Sequence, residues 1–281
     1  MMPLSKEMSV ESGSNCPACM SAWSGQMKAV GGQSVRECSV CGLWFVDAAS
    51  LGEVDYDEVY DSEYKEEHFS TLENTSDWNE FATYPTYRNF FSEVPRGDGA
   101  TLLDVGCGVG RFCRAAYSKG WIVKGIDVSS VALEKGRQLA PFPMLSMNLR
   151  DLVQLHEKFD VVTAFEVMEH LTDPDAFLHD LKLTVKEGGY FFCTVPNLAS
   201  PTVRTATRKD WIPPVHVLFF TEKALRELLR RAGFREIRTG VIWTSEAPKK
   251  LGPGLAKYYL YRFLKTIPRP DPLGLWACCS M

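Results

Sequence analysis

The sequence lacks any long apolar run. No stretch approaches the roughly 20 consecutive apolar residues that a helix needs to cross a bilayer. The opening residues, MMPLSKEMSVESGSN, also lack the apolar core of a secretory signal peptide. These two absences predict a cytoplasmic protein without a transmembrane segment.

A strong net charge is missing as well. The 281 residues carry 31 Lys and Arg against 35 Asp and Glu, a formal net charge of −4. This balance hides an asymmetry, because residues 51–80 hold eleven acids and one lysine, whereas residues 201–281 hold fifteen Lys/Arg and six acids. A basic C-terminal third can guide an anionic substrate, although solvated surface charge explains the same pattern.

A disulfide framework is not expected for the nine cysteines in a cytoplasmic protein. Four of them form CPAC at 16–19 and CSVC at 38–41, which gives the spacing C-x2-C-x18-C-x2-C. Four thiolates complete the tetrahedral shell of zinc and leave no position open for a substrate. Residues 1–50 are therefore predicted to form a structural zinc ribbon, because without the metal so short a segment has too little core to fold. The predicted ligands are Cys16, Cys19, Cys38 and Cys41.

An acidic connector with N-terminal helices is predicted over residues 51–94. Within EVDYDEVYDSEYKEEHF at 53–69, tyrosines recur every four residues. This spacing favours a helix whose aromatic seam packs on the main domain.

From residue 95 to 281, short apolar runs alternate with helical patterns. Near-continuous apolar strands separated by helices indicate a parallel sheet that is covered on both faces. The fold class is therefore α/β: a Rossmann-like, doubly wound, seven-stranded sheet preceded by the small zinc ribbon. The predicted strands are TLLDVG (101–106), WIVKGIDV (121–128), PMLSM (143–147), FDVVTAF (159–165), YFFCTV (190–195), FREIRTGVIW (234–243) and LGLWACCS (273–280).

The loop after the first of these strands is rich in glycine. LLDVGCGVGRF places Gly106, Gly108 and Gly110 at alternate positions, which suits the close approach of a ligand to the backbone. The pattern is not G-x-G-x-x-G, because Arg111 occupies the place of the third glycine, and it lacks the G-K-[ST] of a phosphate loop. The glycine spacing therefore matches neither a dinucleotide-binding loop nor a triphosphate-binding loop.

Three acids lie near the ends of the predicted strands. Asp127 ends the second strand, about twenty residues after the first glycine, where a carboxylate accepts hydrogen bonds from a ribose diol. Asp104 and Glu166 suit a cationic substituent on that ribose better than a pyrophosphate. The pattern indicates an adenosine that carries a positive group.

Three segments resemble the successive motifs of class I S-adenosylmethionine (SAM)-dependent methyltransferases. They are LLDVGCGVGRF, GIDVS and FDVVTAFEVMEHLTDP, and the last is similar to the ubiquinone-biosynthesis O-methyltransferase type. The resemblance covers roughly residues 80–281 and implies an enzyme that uses SAM as methyl donor. It also implies that Asp104 and the backbone of Gly106–Gly110 surround the amino-acid part of SAM, that Asp127 holds the ribose, and that Val128 lies against the adenine.

The resemblance implies three further contacts to SAM. Asn148, where the family often has aspartate, and Leu149 meet the adenine edge, and Arg88 partners the methionyl carboxylate. The complete predicted SAM-binding set is Asp104, Gly106, Gly108, Gly110, Asp127, Val128, Asn148, Leu149, Glu166 and Arg88.

Methyl transfer from a sulfonium is a direct displacement, so the enzyme supplies positioning and, for a weak nucleophile, a base. The candidate catalytic residues are Glu169 and His170 in EVMEHL, and His216 in WIPPVHVLFFT. A histidine titrates near neutral pH, although capping by Glu169 and His170, or packing by His216, explains the same residues. A divalent metal on Glu166, Glu169 and His170 is an alternative, since metals occur at this position in part of the quinone O-methyltransferase group.

A zinc ribbon ahead of a SAM domain resembles bacterial methyltransferases linked to sugar and cell-surface glycan assembly. This resemblance implies O-methylation of a small-molecule, sugar or lipid-linked glycan acceptor. Nucleic acid is not expected as a partner, because the ribbon has no Lys/Arg cluster and the connector is acidic. Two alternatives stay open: an RNA methyltransferase that docks through the ribbon, and a non-catalytic protein that binds SAM and zinc.

The segment GLAKYYLYRFLKTI at 254–267 has the pattern of an amphipathic helix. Such a helix covers an edge of its own sheet or contacts a second copy in a homodimer. A peripheral contact with a membrane that carries the acceptor is the alternative.

Overall fold

The computed structural model describes residues 15–46, 77–95, 99–206, 211–243 and 271–281. The predicted tyrosine seam at 53–69 and the amphipathic helix at 254–267 lie outside these residues. Among the helices that the structure does describe, none is long and apolar enough to traverse a bilayer.

The described residues form strands and helices in alternation after an N-terminal group of three strands. The strands are β1 (Met27–Val30), β2 (Gln33–Glu37), β3 (Trp44–Phe45), β4 (Thr101–Val105), β5 (Ile122–Asp127), β6 (Met144–Ser146), β7 (Phe159–Phe165), β8 (Val185–Pro196), β9 (Leu218–Phe219), β10 (Arg235–Ile242) and β11 (Gly274–Ser280). The α-helices are α1 (Pro85–Glu93), α2 (Arg111–Ser118), α3 (Ser130–Arg137), α4 (Leu149–Val153), α5 (Pro174–Thr184), α6 (Pro201–Arg204) and α7 (Glu222–Arg231). Two 3-10 turns cover Trp78–Thr83 and Met168–His170.

The central sheet has seven strands in the order β10-β11-β8-β7-β4-β5-β6. The strands β8, β7, β4, β5 and β6 are parallel, and β11 enters antiparallel between β8 and β10. This architecture confirms the predicted Rossmann-like α/β sheet. Strand β8 begins at Val185, five residues before the predicted run at Tyr190, because Val185 pairs with Phe159 of β7.

Buried apolar side chains hold the central strands in place. Leu102 and Leu103, adjacent residues of β4, are both fully buried, so the two faces of the strand are both covered. Helix α7 begins at Glu222, because the side chain of Thr221 accepts a hydrogen bond from the backbone of Ala224 and caps it. Ser129 caps α3 in the same way.

The order of the strands reverses between β4 and β7, and the edge of the sheet at their carboxyl ends is called the crevice. The chain runs from β4 to β5 and β6 on one side, then crosses to β7 and β8 on the other. Ligands of open α/β sheets bind where the strand order reverses in this way, at the carboxyl ends of the strands. The glycine-rich loop follows β4, and Glu166 follows β7.

The N-terminal ribbon is not a self-contained sheet. Its strands β1, β2 and β3 continue into β9 of the main domain, where Trp44 pairs with Phe219 and Phe45 pairs with Leu218. One hydrophobic cluster joins Leu43 of the ribbon with the residues under the central sheet. The division of the chain at residues 50 and 94 stays a prediction, since the structure does not describe residues 47–76.

Candidate functional site

The glycine-rich loop turns sharply at the end of β4. Gly106 and Gly110 have φ values of 72° and 80°, in the left-handed region that disfavours side chains. A Cβ on Gly106 would lie 2.5 Å from Cγ2 of Val167, and one on Gly110 would lie 3.0 Å from Cε of Met144. The sequence suggested that a ligand excludes side chains here, but at these two positions the protein's own side chains already do so.

Asp127 fixes this loop to the end of β5. Its Oδ2 accepts a hydrogen bond from the backbone N–H of Gly108 at 2.7 Å, and its Oδ1 accepts one from that of Ser129 at 2.8 Å. The residue is only 4% exposed. Each carboxylate oxygen can accept a further hydrogen bond, so contact with a ribose diol remains compatible with this geometry.

Asp104 lies buried at the end of β4. Its Oδ1 accepts a hydrogen bond from the Thr163 hydroxyl at 2.7 Å, and its Oδ2 lies 3.4 Å from Sγ of Cys113. Burial raises the pKa of this carboxyl from 3.8 to about 7, the charge of Asp127 raises it further, and the two hydrogen bonds oppose the rise. A cation placed beside Asp104 would favour its ionised form.

The other predicted SAM-binding residues have varied surroundings. Val128 is 55% exposed beside the end of β5. Asn148 caps α4, since its Oδ1 accepts from the backbone N–H of Asp151 at 2.9 Å, and Leu149 is buried in the core. Arg88 is exposed on α1. Their contacts with SAM stay predictions.

Glu166 stands on the other wall of the crevice, at the end of β7. Its φ of 53° is unusual for a residue with a side chain, and such strain is concentrated at functional sites. Its Oε1 accepts a hydrogen bond from the Thr194 hydroxyl at 2.7 Å. Thr194 is a polar residue in the apolar run YFFCTV, and this signal was present in the sequence.

The three predicted catalytic residues come together beyond Glu166. The rings of His170 and His216 lie edge to face with centroids 4.7 Å apart, although 45 residues separate them along the chain. Nδ1 of His170 lies 2.9 Å from the carbonyl oxygen of Val215. A carbonyl only accepts hydrogen bonds, so Nδ1 carries the proton and, in the neutral ring, Nε2 bears the lone pair.

Burial sets the charge states of the other two candidate catalytic residues, His216 and Glu169. The pKa of His216 is lowered well below 6.5, first by burial and then by His170, so its neutral form is favoured. The pKa of Glu169 is raised well above 4.5 by burial and by the nearby charge of Glu166, which favours its protonated form. Both carboxyl oxygens of Glu169 are buried without a hydrogen-bond partner among the described residues.

The alternative prediction of a divalent metal has a different ligand set in the structure than in the sequence. One donor atom from each of Glu169, His170 and His216 lies within 4.8 Å of the others. Glu166 does not join this group, and its hydrogen bond goes to Thr194. The structure thus replaces Glu166 by His216 in the set that the sequence suggested.

Two further residues shape the site, of which Trp211 begins the segment WIPPVHVLFFT and Arg114 has no evident sequence signal. Trp211 lies nearly parallel to His216, with ring centroids 6.2 Å apart. Arg114 is 1% exposed on α2 and donates to the carbonyl of Val109 in the glycine loop and to that of Gly136 at 2.8 Å. Nothing in the pattern of α2 distinguishes this buried arginine from a solvated one.

The four ribbon cysteines form a single cluster. Sγ of Cys16 lies 3.5 Å from Sγ of Cys41, and Sγ of Cys19 lies 3.6 Å from Sγ of Cys38. All four sulfur atoms lie within 4.8 Å of one another. Tetrahedral zinc with Zn–S bonds of about 2.3 Å separates its sulfur ligands by about 3.8 Å, so this donor set fits zinc.

The order of the sheet, the glycine loop after β4 and the acid at the end of β5 define the class of the SAM-dependent methyltransferases with the class I fold. Residues 79–239 match the family model described as a methyltransferase domain. The chain belongs to this family.

Two curated relatives are ubiquinone biosynthesis O-methyltransferases. That of Brucella anthropi is 37% identical over 105 residues, which are 36% of this chain and 42% of that protein. That of Actinobacillus pleuropneumoniae is 38% identical over 108 residues, which are 34% of this chain and 46% of that protein. The chain spans less than half the length of these curated relatives.

Solved structures show the same fold at low identity. A SAM-dependent methyltransferase from Mesorhizobium loti has a TM-score of 0.52 and 20% identity, over 72% of this chain and 100% of that one. Phosphoethanolamine N-methyltransferase 2 of Haemonchus contortus, in complex with SAM, has a TM-score of 0.55 and 14% identity, over 92% of this chain and 71% of that one. The names of the curated relatives specify methylation of oxygen, and that of the Haemonchus contortus enzyme specifies methylation of nitrogen. The likeness therefore leaves the acceptor atom of this chain open.

Proposed function

We propose that this chain transfers the methyl group of SAM to an oxygen of a small-molecule, sugar or glycan-type acceptor. The observation that carries the proposal is the hydrogen bond from Nδ1 of His170 to the carbonyl of Val215. It holds the imidazole in the tautomer whose Nε2 accepts a proton, as a general base for a hydroxyl requires. A hydroxyl is a weak nucleophile, and removal of its proton during transfer makes it reactive.

The SAM side of the crevice is assigned to the glycine loop and its acids. SAM supplies an electrophilic methyl group on a positively charged sulfur. Asp127 orders the loop and accepts from the ribose, and Asp104 faces the amino-acid part. Glu166, held by Thr194, presents a carboxylate at the mouth of the crevice. Gly106, Gly108, Gly110, Val128, Asn148, Leu149 and Arg88 complete the proposed SAM site.

The acceptor side is assigned to His170 with Glu169 and His216. His216 favours its neutral form and packs against His170, so it adds no positive charge that would hinder proton uptake. Glu169 is buried within the same turn as His170 and favours its protonated form. We assign His170 as the base, and Glu169 and His216 as the residues that orient it.

The proposal includes a structural zinc ion on the four ribbon cysteines. The close packing of their sulfur atoms supports it. The charge of the ribbon favours a small acceptor over RNA, because Lys28 pairs with Glu37 at 3.1 Å and Arg36 lies over the ring of Trp23. These are the only basic residues among 15–46, the part of the ribbon that the structure describes.

Transfer of labelled methyl groups tests the activity. The protein is incubated with [methyl-14C]SAM and a fractionated lysate of the source organism, and label is counted in nucleotide-sugar, glycan, lipid, RNA and protein fractions. We expect label in one of the first three. His170→Gln should lower the rate about 100- to 10,000-fold, the range that general bases contribute, while binding of S-adenosylhomocysteine persists.

His179→Gln is the matched control, because His179 is an exposed histidine on α5, and it should retain full activity. Label in RNA or protein would contradict the proposed acceptor. Normal transfer by His170→Gln would contradict the base. Binding of S-adenosylhomocysteine without transfer to any fraction would favour the non-catalytic alternative.

A further inference from the structure

The segment 215–219, called the bridging segment below, connects the zinc ribbon with the acceptor side of the crevice. Strand β9 lies within it and pairs with β3 of the ribbon. The backbone N–H of Val46, just after β3, donates to the carbonyl of Val217 at 3.0 Å. The ribbon therefore holds one edge of the bridging segment.

Other backbone groups of the bridging segment bond the turn Met168–His170, which is called the catalytic turn. The backbone N–H of Val217 donates to the carbonyl of Glu169 at 2.8 Å, and the carbonyl of Val215 accepts from Nδ1 of His170. Val217 thus bonds the ribbon through its carbonyl and the catalytic turn through its amide. Val217 is adjacent to His216, and its amide bonds the residue that precedes His170.

Thr221, the cap of α7, and Arg231 within α7 contact the two cysteine pairs of the ribbon, CPAC at 16–19 (the first knuckle) and CSVC at 38–41 (the second knuckle). The hydroxyl of Thr221 donates to the carbonyl of Cys41 at 2.8 Å while it accepts from the amide of Ala224. This hydroxyl therefore has two roles, one as the helix cap and one as the contact with the second knuckle.

At the other end of α7, Arg231 contacts the first knuckle. Its Nη2 donates to the carbonyl of Pro17 at 2.8 Å and its Nε to that of Ala18 at 3.1 Å. Asp175 at the start of α5 holds the same guanidinium with an Nη1–Oδ2 distance of 2.9 Å. Both ends of one helix thus contact carbonyls within the knuckles that the metal would order.

The ribbon has little core of its own to keep this arrangement without metal. Its buried apolar residues pack against the main domain in two clusters. Leu43 and Phe45 belong to the cluster under the central sheet. The other cluster contains Val30, Val35, Trp44, Leu198, Val203 and Phe219. Small segments of this kind take most of their folding free energy from the metal. Loss of zinc would free β3 and leave the bridging segment without its outer partner.

We propose that the zinc ribbon is a positioning element for the acceptor side: the metal orders β3, β3 fixes the bridging segment, and this segment sets the places of His170 and His216. The inference rests on the structural zinc of the proposed function. It assigns Thr221 and Arg231 as positioning residues that act through the ribbon. The SAM side, built on β4 and β5, is independent of it.

The experiment uses the full chain loaded with zinc and labelled with 15N-histidine. The chain has five histidines, so each imidazole can be followed by NMR after assignment by substitution. Zinc is removed with a chelator or by Cys38→Ser, and binding of S-adenosylhomocysteine is measured by calorimetry. We expect the ring signals of His170 and His216 to shift or broaden while those of His156 and His179 persist. The affinity for S-adenosylhomocysteine should change by less than about twofold, as for independent sites.

Substitution of Thr221 tests the contact between its hydroxyl and the Cys41 carbonyl without removing the metal. Thr221→Asp keeps a good helix cap but loses the donor to the Cys41 carbonyl. Asparagine has the same shape as aspartate, and Thr221→Asn keeps both the cap and a donor. With zinc bound, Thr221→Asp should move the signals of His170 and His216, and Thr221→Asn should restore them. This pair decides the question even if removal of zinc unfolds the chain.

Each result has a distinct meaning. Purified protein that contains no zinc and binds none refutes both the zinc assignment and the inference. Protein that binds zinc, but whose His170 and His216 signals are unchanged by Thr221→Asp, refutes the inference alone. A large loss of affinity for S-adenosylhomocysteine that accompanies the change in the His170 and His216 signals would also refute it, because the ribbon would then support the whole domain.

Discussion

The substitution Asp104→Asn should change how stability depends on pH. Asp104 is 2% exposed, and burial is the main reason that its pKa rises from 3.8 to about 7. A raised carboxyl pKa means that the folded chain binds the proton more tightly than the unfolded chain. The stability contributed by this proton is therefore complete below pH 3.8 and is lost as the pH rises through 7.

The size of the effect follows from the shift. Each unit of pKa corresponds to about 1.36 kcal/mol, so ionisation of Asp104 costs the fold about 4 kcal/mol at alkaline pH. About 2–3 kcal/mol of this is lost between pH 5 and pH 8, because the unfolded carboxyl is already ionised at pH 5. Asparagine has the same shape, does not ionise, and can accept the hydrogen bond from Thr163.

Urea unfolding at pH 5 and pH 8 measures the difference. The wild type should lose stability between the two values relative to Asp104→Asn, and the variant should be the more stable of the two at pH 8. Asp151→Asn, at an exposed position of α4, is the control for loss of a carboxylate and should follow the wild type. Equal pH dependence in the wild type and Asp104→Asn would refute the reasoning. The variant should also bind SAM more weakly, since a stabilising change at a binding site often costs function.

Three further predictions concern the SAM side. Asp127→Asn loses a charge-assisted hydrogen bond to the glycine loop, which is worth about 1.5–3 kcal/mol. S-adenosylhomocysteine should therefore bind about 10- to 100-fold more weakly by calorimetry. Glu134→Gln, on the exposed face of α3, is the control and should bind normally. Gly106→Ala sets a Cβ 2.5 Å from Cγ2 of Val167 at a φ of 72°, and urea unfolding should show a loss of about 1–3 kcal/mol; unchanged stability would contradict the packing at this turn. SAM carries one more positive charge than S-adenosylhomocysteine, so at pH 7 its binding should release more protons from Asp104, measured by calorimetry in buffers of different ionisation enthalpy; equal release would contradict contact between them.

The sequence predicted the features that depend on local chemistry. Apolar runs become strands because both faces of the sheet are buried. The resemblance of three motifs predicted the methyltransferase class, which the family match confirms. Each of these signals is contained within a few consecutive residues.

The features that depend on distant residues were not predictable in the same way. A two-residue strand such as β9 has no pattern of its own, so its pairing with β3 cannot be derived from composition or periodicity. The approach of Val167 to Gly106 joins two loops that are separated by about 60 residues, a contact without local signature. His170 and His216 were each recognised as candidates, but only the tertiary structure brings them edge to face and selects the tautomer of His170.

The two sides of the crevice are anchored to different parts of the molecule. The glycine loop is bonded to β5 through Ile126 and Asp127, within the parallel sheet that defines the class. His170 is bonded instead to the bridging segment, whose outer partner is the ribbon. We therefore expect a change in the ribbon to alter the acceptor side while the glycine loop keeps its hydrogen bonds to β5. The motifs LLDVGCGVGRF and GIDVS lie on the side built from β4 and β5, so the family match identifies the methyl donor but not the acceptor.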